Sequence, residues 1–136
     1  MNVKFISAIV ATSLLTFSAA HAVTPKPEKC PSVSALQAIS FEGFEKDNDD
    51  GTWAGGVLGN NYDTNDRWTF VMAKIPASDE VDARAKAIDA MSTLKAAPEP
   101  VERNGYWVCF YPNDKSYFSF SITPAFGLRA ATKMAV

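Results

Sequence analysis

The chain has 136 residues, 47% of them hydrophobic, and carries 13 basic against 15 acidic residues for a formal net charge of −2. That length suits one domain, and a mild acidic excess without a basic stripe argues against nucleic acid and against anionic membrane surfaces as partners. The single histidine, His21, falls in a segment read as removed, so the remainder offers no imidazole for Ser-His or Cys-His catalysis or for metal or haem ligation.

Residues 1–22 have the three parts of a cleavable secretory leader. Lys4 supplies a positive charge, residues 5–17 are uncharged and mostly apolar, and Ala20-His21-Ala22 places small residues before a cut after Ala22. The apolar stretch is short for a helix crossing ~30 Å of hydrocarbon; an uncleaved amphipathic or membrane helix is the alternative. Cys30 follows Pro27-Glu28-Lys29, not the small apolar context of a lipid-modified cysteine. The expected product is therefore exported to the periplasm or beyond, with no membrane insertion after cleavage. Residues 23–29, with two prolines and two lysines, read as an extended lead-in, and residues 30–136 as a single domain.

Ser32 is placed to cap a short helix over residues 32–39, with Val33, Leu36 and Ile39 on one face. Strands are expected over 41–46 and 52–58, separated by the turn Asp47-Asn48-Asp49-Asp50-Gly51. Gly55 and Gly56 within the second strand point to a bulge or a close approach by another backbone. Residues 67–75 form the clearest early strand, stopped by Pro76. The best helix covers 78–95, capped by Ser78, with Asp79 and Glu80 at the positive end of its dipole. Its expected core stripe is Val81, Ala85, Ile88, Met91 and Leu94. Glu80 with Arg84, and Asp82 with Lys86, are i,i+4 pairs on the outer side.

A hairpin is expected from residues 106–111 and 116–123 around Pro112-Asn113-Asp114-Lys115. Phe118, Phe120 and Ile122 alternate with Tyr117, Ser119 and Ser121. Tyr106, Val108 and Phe110 point one way and Trp107, Cys109 and Tyr111 the other, which suggests a strand covered on both faces. The tail after Pro124 is weakly specified. Helix, three strands, helix and two strands make an α+β domain of two layers, with an antiparallel sheet of about five strands and two helices on one face.

Cys30 and Cys109 are the two cysteines, and an even count in an exported chain suggests a disulfide. A reactive thiol pair is the alternative, although neither cysteine sits in a C-x-x-C or basic setting that lowers its pKa. The acidic run invites a calcium reading, but setting Gly51 at position six of an EF-hand puts Lys46 at position one and Val57 at position twelve, where acids are required. No pair of carboxylates stands out for glycoside hydrolysis, no nucleophile motif or phosphate-binding glycine loop is present, and no enzymatic activity is expected.

The aromatic residues of the strands are the positive signal. They fill a strand core, or they leave an open face for a flat apolar ligand or a protein. Tyr106, Trp107, Tyr111 and Tyr117 are the candidate ligand contacts. If that ligand were haem, tyrosine is the expected iron ligand, from among Tyr62, Tyr106, Tyr111 and Tyr117.

Cys30-Pro31-Ser32-Val33-Ser34-Ala35-Leu36-Gln37 resembles the start of the mature region in a family of small exported Legionella proteins. So do Trp68-Thr69-Phe70-Val71-Met72-Ala73 followed by Ile75, and Trp107-Val108-Cys109 with Tyr111. The family is a domain of unknown function in which one member is called haemin-binding. The resemblance covers most of residues 30–136 and implies a haemin-binding protein, with haem the one cofactor it suggests; its motifs are structural, not catalytic, and it supplies no ligand set. The alternative function is a secreted protein-interaction module, an effector or inhibitor with a protein partner.

Overall fold

The computed structural model describes residues 24–135, so residues 1–22, the expected secretory leader, lie outside the described residues. In chain order the elements are α1 (Val33–Gln37), β1 (Gly43–Lys46), β2 (Trp53–Asn60), β3 (Trp68–Ile75), α2 (Glu80–Met91), β4 (Val101–Arg103), β5 (Tyr106–Phe110), β6 (Phe118–Thr123) and α3 (Leu128–Ala135). One antiparallel sheet has the order β1-β2-β3-β6-β5-β4. Two meanders are thus joined by α2, with β6 returning beside β3 at the centre. The α+β class is as read from the sequence, with six strands where about five were expected. The added strand, β4, is three exposed residues at an edge, too short and too polar to leave an alternation.

Period-two alternation sorts the central strands cleanly. Trp68, Phe70 and Met72 of β3 share a core with Cys109 and Tyr111, Leu36 of α1 and the buried residues of α2. Val71, Ala73, Val108, Phe120 and Ile122 form the opposite core with Ala131 and Ala135 of α3. The tail read as weakly specified is therefore a helix that covers the second face, placing α3 across the sheet from α1 and α2. Its signal was the spacing of Leu128, Ala131 and Ala135, which puts small apolar residues on one side of a two-turn helix.

Two further corrections concern α2. Asp79, not Ser78, is the N-cap, accepting from the Asp82 amide at 2.8 Å, while the Ser78 amide donates back to the Asp82 carboxylate at 3.0 Å. This reciprocal arrangement satisfies two amides at the helix start. The stripe against the sheet is Ala83, Ala87, Ala90 and Met91, continued by buried Leu94; Ala85 is exposed, and Val81 and Ile88 are 79% and 58% exposed. Beneath α2 the sheet side presents Phe41, Phe44 and Phe70, and alanines let the helix approach over such bulk. Arg84 lies over the Phe44 ring at 4.8 Å and donates to the Phe41 carbonyl at 3.1 Å, fixing the rotation. Ala87→Leu is accordingly expected to cost about 1–3 kcal/mol by overpacking, whereas Ile88→Ala changes stability by no more than ~0.5 kcal/mol. Urea unfolding of both variants checks this; equal losses contradict the orientation.

The Gly55-Gly56 pair is explained by close approach. A Cβ on Gly55 would lie 2.4 Å from the Phe44 ring, and one on Gly56 would lie 3.0 Å from the Phe70 carbonyl oxygen and 3.1 Å from Leu128 of α3. The neighbouring register shift comes from an extra residue in β3, where Trp53 pairs with Ile75 but Gly55 with Met72. Lys74, at φ 61°, sits in this bulge, which returns Ile75 to the α2 face and releases the Lys74 side chain toward the β1–β2 turn.

Candidate functional site

The disulfide joins Cys30 to Cys109, with Cα atoms 5.9 Å apart and 79 positions apart in sequence. It attaches the lead-in and α1 to β5. The lead-in is also held by Trp107, whose indole donates to the Thr24 carbonyl at 2.7 Å, and by Tyr111, whose hydroxyl donates to the Pro31 carbonyl at 2.7 Å and lies 3.2 Å from the Ser121 hydroxyl.

The four aromatic candidates do not converge. Tyr106 is on the α3 face, edge-on to Phe126 with ring centroids 4.7 Å apart. Trp107 lies on the other face beneath the lead-in, with Lys26 over its ring at 5.9 Å. Tyr111 is buried in the core, edge-on to Phe70, and Tyr117 packs half-buried against that same core. Alternation along β5 separates Tyr106 from Trp107 and Tyr111 by the thickness of the sheet. Tyr111 and Trp107 are committed to the fold through their hydrogen bonds.

Burial pushes the phenols of Tyr62 and Tyr111 above the usual tyrosine range, with the Glu42 charge adding to the effect at Tyr62. An unfolded tyrosine ionises near pH ~10, so above that pH the unfolded chain binds fewer protons than the folded one and stability falls as pH rises. The expected result is that these two phenols ionise only as the fold is lost, their tyrosinate absorbance rising together with the unfolding signal. Full ionisation of all tyrosines in the intact fold contradicts it.

A concave surface lies on the opposite face, beside α3. A groove of about 470 Å³ runs between α3 and the β1–β2 turn. Its floor is Ala54, Ala73 and half-buried Phe118, and Leu128 and Thr132 of α3 form one wall. Gly56 matters here because its missing side chain seats Leu128. Phe118 continues an aromatic row, with Phe120 at 5.0 Å and Phe110 at 5.8 Å between ring centroids. It also lines a second, shallower depression with Phe110, Arg103, Asn104 and Ala135. An apolar floor with a few polar groups at the rim is the usual make-up of a small-ligand site.

The rim is charged. Lys74 reaches Asp50 at 2.6 Å and Asp47 at 3.6 Å. The ammonium, together with the Thr52 amide and hydroxyl, holds the Asp50 carboxyl well below the usual carboxylate range, and Asp50 in turn raises Lys74. Arg129 bonds Glu45 at 3.0 Å, tying α3 to β1. Lys46, Lys133 and Asp49 also line the groove and form no ion pair among the described residues. The acidic run thus acts as a turn anchored by lysine, and among the described residues no cluster of three His, Cys, Asp or Glu side chains is arranged to hold a metal ion. None of the described tyrosines, methionines or cysteines lines the groove, so its donor set does not fit protein ligation of haem iron.

The sequence reading missed this site because its parts are far apart in the chain. Phe118 read as one strand aromatic among several, serving a core or an open face, Lys74 as the end of a strand, and Arg129 and Lys133 as part of a weakly specified tail. The one local signal was Lys74 interrupting the apolar run of β3. No family model, no curated protein and no solved structure matches the chain.

Proposed function

We propose that this chain is an exported, non-enzymatic binding protein whose groove beside α3 takes a flat apolar ligand carrying acidic groups, haemin being the first to test. The observation that carries the reading is half-buried Phe118, set in an apolar floor under a rim of mixed charge, where Lys46 and Lys133 form no ion pair among the described residues while Lys74 and Arg129 are paired with Asp47, Asp50 and Glu45. An aromatic face supports stacking, and Lys46 and Lys133, which form no ion pair among the described residues, favour carboxylates such as the propionates of haemin. Among the described residues the groove offers no protein ligand for iron, so stacking on Phe118 and charge at the rim would be what holds such a ligand. Export is supported by the disulfide, a bond of oxidising compartments, and by the leader-like residues 1–22. Among the described residues no helix is long and apolar enough to cross a membrane.

Titrating purified protein with micromolar haemin is expected to give a saturable Soret change, weakened severalfold by Phe118→Ala and by Lys46→Glu with Lys133→Glu. Absence of saturation, or indifference to all three substitutions, removes this reading. A protein partner is the second reading, favoured by the exposed Val81-Ala85-Ile88 stripe of α2. It predicts a stoichiometric partner from envelope extracts that is lost on Ile88→Glu.

A further inference from the structure

We infer that Asn104–Gly105 is a site of spontaneous deamidation, and that the reaction loosens the C-terminal end of α3. Arg103 pairs with Tyr106, leaving Asn104 and Gly105 as a two-residue hairpin turn. Both have positive φ, 53° and 84°, the geometry for which Asn-Gly is the preferred pair. It is the sole Asn-Gly pair in the chain.

In the reaction the Gly105 backbone nitrogen attacks the Asn104 side-chain carbonyl carbon. A C–N bond forms, the nitrogen gives up its proton, and the side-chain amide leaves as ammonia. Water then opens the five-membered imide at either carbonyl, giving aspartate or isoaspartate with no change of oxidation state. Access is open at this position. Asn104 is exposed, and nothing lies within 4 Å of where a Gly105 Cβ would sit. The turn must leave its present geometry for the attack, and β4 is three exposed residues at a sheet edge, a segment that opens locally at small cost.

Asn48, Asn61 and Asn65 are exposed but are not followed by glycine, and two other competing positions are protected. Asn113 is buried, with its amide nitrogen donating to Tyr117 and Ser119 and its oxygen accepting from two backbone amides. Asp50–Gly51 is the other pair suited to imide chemistry. Its carboxylate is held ionised by Lys74 and Thr52, which makes it a poor electrophile.

The consequence follows from what the amide does. Asn104 Nδ2 donates to the Met134 carbonyl at 3.3 Å, in the last turn of α3. Deamidation replaces that donor with a carboxylate facing the negative end of the helix. Isoaspartate also lengthens the backbone of a turn that has no slack between Arg103 and Tyr106. Asn104 lines the depression beside Phe118 and Ala135, so release of the helix end enlarges the space along the aromatic row.

The test is incubation of the purified protein at mildly alkaline pH with peptide mapping by mass spectrometry. The peptide containing residue 104 is expected to gain acid and isoaspartate severalfold faster than any other asparagine peptide. Asn104→Gln keeps an amide donor but closes the imide ring poorly, and should stay unconverted. Asn104→Asp should raise amide hydrogen exchange over residues 131–135 severalfold while β3 and β6 stay protected. Conversion at residue 104 no faster than at Asn48 or Asn65 overturns the site, and unchanged exchange in Asn104→Asp overturns the coupling to α3.

Discussion

Replacing Cys30 and Cys109 together by serine is expected to lower stability by about 4–5 kcal/mol, the loop-closure entropy of a bridge spanning 79 residues. Against the roughly 5–15 kcal/mol available to a domain of this size, that is a large share. Apart from the main chain that runs on into β1, the bridge is the covalent link between the lead-in with α1 and the sheet. Without it those residues depend on the burial of Leu36 and on hydrogen bonds such as Trp107–Thr24, Tyr111–Pro31, Ser32–Asp63 and Gln37–Met91, each worth about 0.5–1.5 kcal/mol net. Urea unfolding of the oxidised protein and the double variant measures the difference. A midpoint shift equivalent to less than ~1 kcal/mol contradicts a structural role for the bridge.

Phe70→Ala is expected to cost about 3–5 kcal/mol. Phe70 is buried at the centre of β3 and joins Phe41, at 6.3 Å between centroids, to Tyr111, at 6.0 Å. Sheet and α2 close over it, so little can collapse into the cavity left behind. It also lies on the face away from the groove. The variant should therefore unfold at much lower denaturant yet bind ligand normally while folded. Phe118→Ala should behave in the opposite way, with a smaller stability loss because the ring is half-exposed and a clear binding loss. Equal effects of the two substitutions on binding contradict the separation of core and site.

Much of the framework was legible because one rule dominates it. Strict alternation along Trp68–Ala73 and Phe118–Thr123 fixes which side chain faces which layer, and an even cysteine count gave the bridge. The rotation of α2 was not legible. Hydropathy ranks Val81 and Ile88 above Ala83 and Ala87, but the bulk of Phe41, Phe44 and Phe70 beneath the helix selects the smaller residues. Local pattern cannot register what lies across an interface. The same holds for the bulge at Lys74, which exists only relative to its pairing with β2, and for α3, whose two turns gain stability from the sheet and not from their own propensity. The groove needs both features: the bulge presents Lys74, and α3 builds the wall.

The most direct test of the binding site is residue-resolved NMR during addition of haemin, whose ferric iron broadens nearby amide signals. Broadening should begin at residues 46–49, 54, 73–74, 118 and 128–133, leaving residues 24–36 and 107 sharp. Selective broadening around Trp107 and the lead-in, or uniform loss of all signals, would contradict a ligand site beside α3.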